Sequence, residues 1–487
     1  MTSVNTNIGA LVAQDSMSKA SKEMDQAIAR LSSGLRINTA ADDAAGMSIS
    51  SKMEAQSRGL EQAIRNSADA QAMIDTTEGA HDEITNLLQR LRELAVQSSN
   101  DTNTAIDRTF LKAETTALIN EIDRISSQTQ WNNMNVLDGT FASKSFQVGA
   151  NAGQTVSVSV DTAATTSIGA FESTSVANTA ASATSAATSG FTGNITLNGH
   201  LGASTLTVAT SDSVKTIAAA ANAVTSSTGI TAEAKTYAEF AAVSADGTVG
   251  FTLLGSASAS ISAVVTTTDL TALKTSINSN AGTTGITAEF NGGDKSKLLL
   301  HSATGENISI ADMSHTTGSA TATLNAYDFD GASAVGSAQT LTEAASDSSA
   351  VTGALKLSSV KVFTHSQTAS KYYTNASETG AINNIATIDI GSVSGAKDAI
   401  RAIDGALGKI NLSRSDLGAV SNRLDSVMAN LSNVSTNTKA SMSNIQDADF
   451  AAETSKLTRS QILNQAATSM LAQANASKQS VLSLLQG

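Results

Sequence analysis

One stretch near the carboxyl end of the chain, residues 403–445, repeats its apolar side chains every seven positions. Ile403, Ile410, Leu417, Leu424 and Leu431 mark this repeat. Most of them are followed three positions later by a further apolar residue. Apolar residues at alternating spacings of three and four form a narrow stripe on one side of an α-helix, as in a coiled coil. A lone helix would leave this stripe in water, so the pattern predicts a helical partner.

Both ends of the chain carry further helical patterns. Residues 1–33 read as a helix that ends before Gly34, a residue that tolerates the left-handed conformation of a helix terminus. Helical spacing also covers residues 44–99 and the segment from Leu111 to Thr129. The last segment repeats the same spacing with Leu463, Ala467, Met470, Ala474, Ser477, Val481 and Leu484. The simplest way to cover these stripes is to pair the two ends of the chain with each other.

The composition agrees with long helices and excludes several kinds of site. Among 487 residues there is no proline, a residue that destabilises a helix interior by about 3 kcal/mol. The absence of cysteine excludes disulfides and thiolate sites. A net charge of −13 without a basic cluster argues against nucleic acid as a partner. We find no apolar run long enough to span a bilayer, and the N-terminus does not have the pattern of a cleaved secretory signal.

The central region, residues 177–390, is rich in Ala, Ser, Thr and Gly, a composition that also suits a disordered linker. Alternating apolar pairs, such as Leu206 with Val208, favour β-strands instead. The sequence TGITAE occurs twice, at 228–233 and 284–289, each time after a helical stretch. We therefore predict two duplicated units of strands plus one helix, although so short a match in a biased composition also arises by chance.

Together these patterns predict a mainly α fold. Both termini contribute to a long antiparallel coiled coil or helical bundle, and an α+β, β-rich region is inserted between them.

Segments at both ends of the chain resemble bacterial flagellins, in the order found in that family. The N-terminal segments are SSGLRINTAADDAAGMSIS at 32–50, then 59–80, 87–103 and 121–139. The C-terminal segments are 413–433, 447–475 and 480–487. The central repeats are similar, less closely, to insert modules of some flagellins and hook-associated proteins.

The resemblance implies a three-part domain organisation and a structural role. Residues 1–43 and 450–487 would form an inner coiled-coil domain, and residues 44–176 and 391–449 an outer-tube helical domain with a β-hairpin. Residues 177–390 would form a surface-exposed, β-rich insert. The function implied is a subunit that polymerises into the bacterial flagellar filament for swimming motility. In the family, the end segments are disordered in the free subunit and fold on assembly.

The resemblance also implies partners and a location. The partners are other copies of the chain in a helical homopolymer, a flagellar export chaperone, the filament cap and hook-associated proteins. The location is the extracellular filament, reached by export without a cleaved signal peptide. Two alternatives remain: a hook–filament junction protein, and a secreted adhesin or enzyme carried on a flagellin scaffold.

A short surface of the second helix resembles the one that vertebrate Toll-like receptors bind in some flagellins. It consists of Gln89, Arg90, Leu91, Arg92, Glu93, Leu94, Ala95 and Val96, together with Glu114. The other interpretation is structural, with Leu91, Leu94 and Ala95 in the core or in subunit contacts. Arg90, Arg92 and Glu93 would then form the solvated face. The two interpretations are compatible.

Two positions depart from the family pattern. Trp131-Asn132-Asn133 stands where the family usually has Phe-Asn-Gly, and asparagine tolerates a positive φ, so we expect the turn to persist. His81 occupies a site that is usually apolar. A histidine facing a packed stripe prefers to be neutral, so we expect acid to loosen contacts there.

No motif in the sequence predicts catalysis or cofactor binding. The five histidines lack a second ligand at metal-binding spacing, and neither a phosphate-binding loop nor a GxSxG motif is present. We therefore expect a protein that is not an enzyme and that uses no cofactor.

Overall fold

The computed structural model describes residues 6–176, 178–179, 193–209, 212–343, 348–368, 372–373 and 375–485. The helices of this part are α1 (Ile8–Ser33), α2 (Ala44–Ser98), α3 (Ala105–Gln128), α4 (Val214–Ala223), α5 (Thr225–Thr228), α6 (Thr271–Ser279), α7 (Ala281–Thr284), the 3₁₀ turn Ile385–Thr387, α8 (Val393–Gln446) and α9 (Phe450–Leu485). The strands are β1 (Gln130–Trp131), β2 (Met134–Asn135), β3 (Lys144–Gln147), β4 (Thr155–Val158), β5 (Gly169–Thr174), β6 (Asn178–Thr179), β7 (Gly193–Asn198), β8 (Ala203–Val208), β9 (Ile230–Ala241), β10 (Gly247–Leu254), β11 (Ser258–Val265), β12 (Thr287–Asn291), β13 (Asp294–Ser302), β14 (Ile308–His315), β15 (Thr321–Tyr327), β16 (Ala334–Thr342), β17 (Ser349–Thr352), β18 (Ala354–Ser359), β19 (Thr364–Gln367), β20 (Ser377–Thr379) and β21 (Ala381–Asn384).

Long helices at both ends and a β-rich region between them confirm the predicted fold class. The chain divides into two compact units. Unit 1 comprises Met1–Asp75, Ser143–Ser159 and Leu417–Gly487, and unit 2 comprises Thr76–Ala142 and Val160–Asp416. Segments of α2 and α8 belong to each unit. No helix in the described part of the chain is both long and apolar enough to cross a membrane.

Unit 1 is built from α1, α9, parts of α2 and α8, and the antiparallel hairpin of β3 and β4. Helix α1 ends as predicted at Gly34, which has a φ of 73° and donates its N–H to the carbonyl of Arg30. The hairpin is fastened to α2 because the side-chain amide of Asn66 donates to the carbonyl of Gln147 at 3.0 Å.

The helical part of unit 2 contains the end of α2, helix α3 and the start of α8. Arg108 of α3 donates to the carbonyls of Ser98 and Asn100, and so caps the last turn of α2. Thr104 and Asp107 form a capping box that starts α3. The turn between α2 and α3 is short, and the two helices therefore run antiparallel.

The spacing of buried residues in α2 explains why this long helix buries only one side. Most of its buried positions alternate by three and four over more than ten turns: Leu60, Ala63, Ser67, Ala70, Ile74, Thr77, His81, Ile84, Leu88, Leu91, Ala95 and Ser98. Ala, Ser and Thr occupy many of these positions, so the buried stripe is narrow and lets neighbouring helices approach closely. The stripe includes one ionisable residue, His81.

The β-rich part of unit 2 contains three antiparallel sheets. An eight-stranded sheet has the order β12-β13-β9-β18-β5-β21, with β15 pairing to β9 and to β16. A five-stranded sheet has the order β11-β10-β14-β17-β6, and a four-stranded sheet has the order β20-β19-β7-β8. Strand β9 is the longest, and its two halves pair with different strands: Ile230–Lys235 with β18 and the remainder with β13 and β15.

The two copies of TGITAE have the same local structure. In each copy the first threonine ends a short helix, and the glycine that follows has a positive φ, 73° at Gly229 and 70° at Gly285. In the first copy Asn222 accepts from the N–H and donates to the carbonyl of Ala232, at 2.8 and 2.9 Å. In the second copy Asn278 makes the same two bonds with Ala288, at 2.7 and 2.9 Å. Each copy therefore has an asparagine clasp between its helix and its strand.

The turn at Trp131-Asn132-Asn133 persists, as predicted. Strands β1 and β2 pair through Trp131 and Met134, and the two central residues have positive φ, 47° at Asn132 and 60° at Asn133. This two-residue loop matches the right-handed twist of the flanking strands.

Candidate assembly interface

Helices α1 and α9 run antiparallel in unit 1 and contact each other through small side chains. The buried residues of α1 are Ala13, Ala20 and Ala27, and those of α9 are Glu453, Ser460 and Ala467. Both sets recur every seven residues, so the coiled-coil spacing is present with alanine and serine in place of large apolar residues. Small residues allow close approach but bury little apolar area, so this contact gains little from the hydrophobic effect.

Polar bonds fix the register of α1 against α9. The side-chain amide of Asn464 donates to Ser21 at 2.9 Å, and that of Asn7 donates to the carbonyl of Ala474 at 3.3 Å. Near the other end of the pair, Arg30 forms an ion pair with Glu453 at 3.2 Å. A hydrogen bond from Lys456, and then the one from Arg30, lowers the pKa of the Glu453 carboxyl.

The large apolar side chains of these two helices lie on the surface. On α1, Ile8 is 67% exposed and Leu11 is 57% exposed, and on α9, Met470 is 64% exposed. Further exposed apolar residues of the pair are Val12, Ile28, Phe450, Ile462 and Leu463. So many exposed large apolar side chains on one helix pair make this surface a candidate for contact with another chain.

The residues of the stripe predicted on α9 are therefore not all buried. Leu463 and Met470 are exposed, whereas Ala467 is buried. The side chains of Val481 and Leu484 lie outside the described residues. The helix turns a different face, that of Glu453 and Ser460, towards α1. Sequence reasoning missed this face because hydrophobicity does not mark it; its signal is the recurrence of small or polar residues every seven positions.

The stripe of α8 is buried over most of its length. Ile403, Ile410, Leu417 and Leu424 are at most 2% exposed, and Leu431 is partly buried. Burying such a side chain fully contributes roughly 2 kcal/mol.

Ion pairs and hydrogen bonds connect α8 with α2 in each unit. In unit 2, Arg414 pairs with Glu78 at 2.6 Å and with Asp82 at 2.7 Å. In unit 1, Lys439 pairs with Glu61 at 2.6 Å, and Gln71 donates to Asp425 at 2.5 Å. Residues early in α2 meet residues late in α8, so the two helices are antiparallel. These contacts are largely at the surface, so they fix the register of α2 against α8 but contribute little to the stability of the fold.

The segment 89–96 presents alternating buried and exposed side chains. Leu91, Leu94 and Ala95 are at most 1% exposed. The remaining side chains of the segment, Gln89, Arg90, Arg92, Glu93 and Val96, are exposed.

Ion pairs hold the exposed charges of this segment in place. Arg90 donates to Glu114 of α3 at 2.8 and 3.0 Å and to Glu93 at 2.8 Å. Arg92 donates to Asp404 of α8 at 2.7 Å. The predicted grouping of Arg90, Glu93 and Glu114 is thus one connected surface, organised across two helices.

Two exposed apolar residues lie beyond the segment predicted from the sequence. Ile106 is 68% exposed and Phe110 is 71% exposed, one turn apart on α3. The sequence could have revealed them, because their positions do not follow the spacing of the buried stripe of Leu111, Thr115 and Leu118. Apolar residues off the buried stripe of a helix are candidates for contact with another chain.

Within the described residues, one grouping comes near to a catalytic arrangement, and its geometry is wrong for that role. Ser173 lies 2.8 Å from Nε2 of His365, and the carboxylate of Glu378 lies 3.9 Å from the same nitrogen. In a hydrolytic triad the carboxylate bonds to the other ring nitrogen. The described residues leave Nδ1 of His365 without a hydrogen-bond partner, and burial lowers the pKa of this histidine. No group of three or more potential metal ligands occurs in the described part either.

Models of two protein families match the ends of the chain. The bacterial flagellin N-terminal helical region matches residues 4–142, and the bacterial flagellin C-terminal helical region matches residues 400–485. The first match includes α1 to α3, and the second includes α9 and all of α8 from residue 400 onwards.

Similar whole chains carry the same description. The B-type flagellin of Pseudomonas aeruginosa is 38% identical over 494 residues, covering 99% of each chain. A flagellin of Salmonella rubislaw is 35% identical over 525 residues, again covering 99% of each chain. The solved structure of FliC from Burkholderia pseudomallei aligns with 73% of this chain and 99% of that chain, at 18% identity and a TM-score of 0.30. From the two family matches and the identity over nearly the whole length, the chain belongs to the flagellin family.

Proposed function

We propose that the chain is the structural subunit that polymerises into the bacterial flagellar filament and so serves swimming motility. The observation that carries this function is the exposed apolar surface of α1 and α9, which a second copy would cover. Contacts between unlike surfaces of successive copies propagate as a helix instead of closing into a ring. The relatives named flagellin match over nearly their whole length, which favours the filament subunit over the hook–filament junction alternative.

Sedimentation after seeding tests this function. The full chain should pellet as filaments, and a chain without residues 450–487 should stay in the supernatant. A sharper variant is Leu463→Gln, because Leu463 is an exposed large apolar residue of α9. We expect it to raise the critical concentration for polymerisation at least ten-fold.

The matched control for this test is Gln465→Ser, two residues away on the same helix, where an exposed polar side chain is exchanged for another. Its critical concentration should stay within about two-fold of the original. Normal polymerisation of the truncated chain, or equal effects of the two substitutions, would show that this surface does not mediate assembly.

We infer the domain organisation of the filament subunit from the same contacts. Residues 1–43 and 450–487 form the inner coiled coil, which the bonds between α1 and α9 support. Residues 44–176 and 391–449 form the outer tube, which the pairs between α2 and α8 support. Residues 177–390 form the exposed insert. The small side chains between α1 and α9 support the proposal that these ends become ordered only on assembly.

For the other partners we propose the flagellar export chaperone, the filament cap and the hook-associated proteins. We propose that the chain leaves the cell by the flagellar export route. We also propose that it is not an enzyme, since the one near-catalytic grouping described, at Ser173 and His365, has the wrong geometry.

The surface of Gln89–Val96 and Glu114 is proposed to serve both subunit contact and recognition by a host Toll-like receptor. Exposed side chains that are fixed by ion pairs, as Arg90 is by Glu114, suit recognition because little side-chain freedom is lost on binding. Arg90→Ala should reduce receptor activation by the dissociated subunit at least ten-fold.

Arg124→Ala is the control for the receptor test, since Arg124 also pairs with a neighbouring glutamate on α3. It should leave activation unchanged. Equal activation by the original chain and by Arg90→Ala would exclude this receptor role without affecting the filament function, which is measured separately by sedimentation.

A further inference from the structure

A cluster of charged side chains surrounds Phe329, a ring in the loop between β15 and β16 that is 2% exposed. Three cations approach the ring. Nζ of Lys235 is 4.6 Å and Nζ of Lys356 is 4.5 Å from its centroid, and Cζ of Arg401 is 5.7 Å from it. A cation near an aromatic face is attracted by the ring quadrupole, and the attraction grows when water is excluded.

Lys356, on β18, is the most buried cation of the cluster, with a side chain that is 7% exposed. Its Nζ lies 3.6 Å from Asp398 of α8, 3.7 Å from Asp330 of the loop and 3.9 Å from Glu172 of β5. These distances are too long for direct hydrogen bonds, but charges interact strongly at this range when they are shielded from water. One ammonium group therefore attracts three segments that are far apart in sequence.

Arg401 joins the same three segments from the side of α8. It pairs with Asp398 one turn earlier on its own helix. Its guanidinium nitrogens also lie 3.7 Å from Glu172 and from Asp330, and 3.8 Å from Glu233 of β9. The cluster thus holds four carboxylates and three cations around one aromatic ring, and the first turns of α8 contribute Asp398 and Arg401 to it.

The loop that carries Phe329 is held in a fixed shape before it meets α8. The carboxylate of Asp328 accepts N–H groups from Ala332 at 2.8 Å and from Ser333 at 3.1 Å. Gly331 has a φ of 70°, and a Cβ there would come within 2.9 Å of the ring of Tyr237. The loop can therefore lie flat on the sheet only with glycine at this position.

Beyond the cluster, α8 rests on the sheet in a different way. A Cβ on Gly405 would lie 2.6 Å from the backbone of Ala170, so helix and strand touch directly there. In the turns before Ile403, where the large apolar stripe begins, the fully buried apolar side chains are alanines, at 396, 399 and 402. Alanine buries little area, so specific attachment of these turns depends on the charged cluster.

We propose that this cluster is a latch, a conformational device that fastens the first turns of α8 to the eight-stranded sheet and opens as a local unit. Its members are Glu172, Glu233, Lys235, Phe329, Asp330, Lys356, Asp398 and Arg401. The direct helix–strand contact at Gly405 stays closed when the latch opens. Local opening of this kind has its own free energy, below that of global unfolding.

Hydrogen exchange of the full-length chain, followed by mass spectrometry at neutral pH, tests the latch. Arg401→Gln removes one cation, and Phe329→Leu keeps an apolar side chain but removes the ring. In both variants, amides in residues 393–402 and 328–333 should exchange at least ten-fold faster than in the original chain. Amides of α3 and of β7 should stay within two-fold of their original rates.

The control is Arg124→Gln, which removes an exposed arginine that pairs with Glu121 on α3. It should leave exchange in residues 393–402 unchanged, because exposed pairs contribute little. Two outcomes would overturn the latch. One is exchange in 393–402 within two-fold of the original in both test variants. The other is acceleration of equal size in α3 and β7, which would mean general destabilisation.

Discussion

His81 is an ionisable residue in the buried stripe of α2, where it is fully shielded from water. Neither ring nitrogen has a hydrogen-bond partner among the described residues. The pKa of this histidine is lowered to about 4, chiefly by burial and also by Arg414, against the opposing effects of Glu78, Asp82 and Asp161. The site thus keeps the imidazole neutral although three carboxylates face it.

This depressed pKa predicts that acid destabilises the fold between pH 6.5 and pH 4. In the unfolded chain the imidazole takes up a proton near pH 6.5, whereas the folded chain resists protonation until about pH 4. Protons therefore favour the unfolded state in this interval, and the free energy of unfolding should fall by roughly 3 kcal/mol across it. Thermal unfolding at pH 7 and pH 4.5 measures the effect.

The variant His81→Leu should lose much of this pH dependence, so that its melting temperature falls less between the two pH values. His200→Leu is the control, because His200 is exposed. If the wild type and His81→Leu lose equal stability on acidification, or if filaments are equally stable at pH 7 and pH 5, His81 does not carry the effect.

At the scale of elements, the two asparagine clasps join corresponding helices and strands in the β-rich region. Asn222→Asp and Asn278→Asp each turn an amide that donates to a carbonyl into a carboxylate that repels it. Each change should lower the free energy of unfolding by about 1–3 kcal/mol. The two effects should be similar in size, because the clasps have the same geometry.

Urea unfolding of the full-length chain measures both effects, and the double variant tests whether they add. Additivity is expected because the clasps share no partner. Asn194→Asp, at an exposed position of β7, is the control. An unchanged unfolding midpoint in either clasp variant would show that its clasp does not stabilise the fold.

The sequence predicted most elements but not every contact face. The spacing of apolar residues identified the helices. It also identified the buried positions from Ile403 to Leu424 of α8, because the large apolar side chains of that stripe are all buried. It found the contact face of α9 only in part: Ala467 of the predicted stripe lies between helices, but Ser460 was not predicted and Met470 lies outside. Hydrophobicity ranks these residues in the opposite order, and only the position of a neighbouring helix decides which side is buried.

The candidate contact surface on α2 and α3 was also only partly predictable from the sequence. The residues from Gln89 to Val96 were found by resemblance to a family motif. Ile106 and Phe110 were missed because no motif covers them. The ion cluster at Phe329 was also missed, since its members come from five segments that only the fold brings together.

For the whole molecule, the net charge of −13 opposes self-association. Salt shortens the range of this repulsion, from about 30 Å at 0.01 M to about 8 Å at 0.15 M ionic strength. We therefore expect the critical concentration for polymerisation to fall several-fold when sodium chloride is raised over this range.

Sedimentation at fixed pH measures the effect of salt, with sucrose of equal osmolality as the control for effects other than screening. A critical concentration that stays constant, or rises, would mean that contacts between opposite charges dominate the interface.

The two strands at which the chain enters and leaves its β-rich region are neighbours in one sheet. Strand β5, which leads into the region, pairs with β21, which leads out of it, over Gly169–Asn384 to Glu172–Ala381. Because entry and exit are adjacent, the intervening sequence can grow, shrink or be exchanged while these two strands keep their positions. Changes in the inserted sequence therefore need not alter the helices at the two ends of the chain.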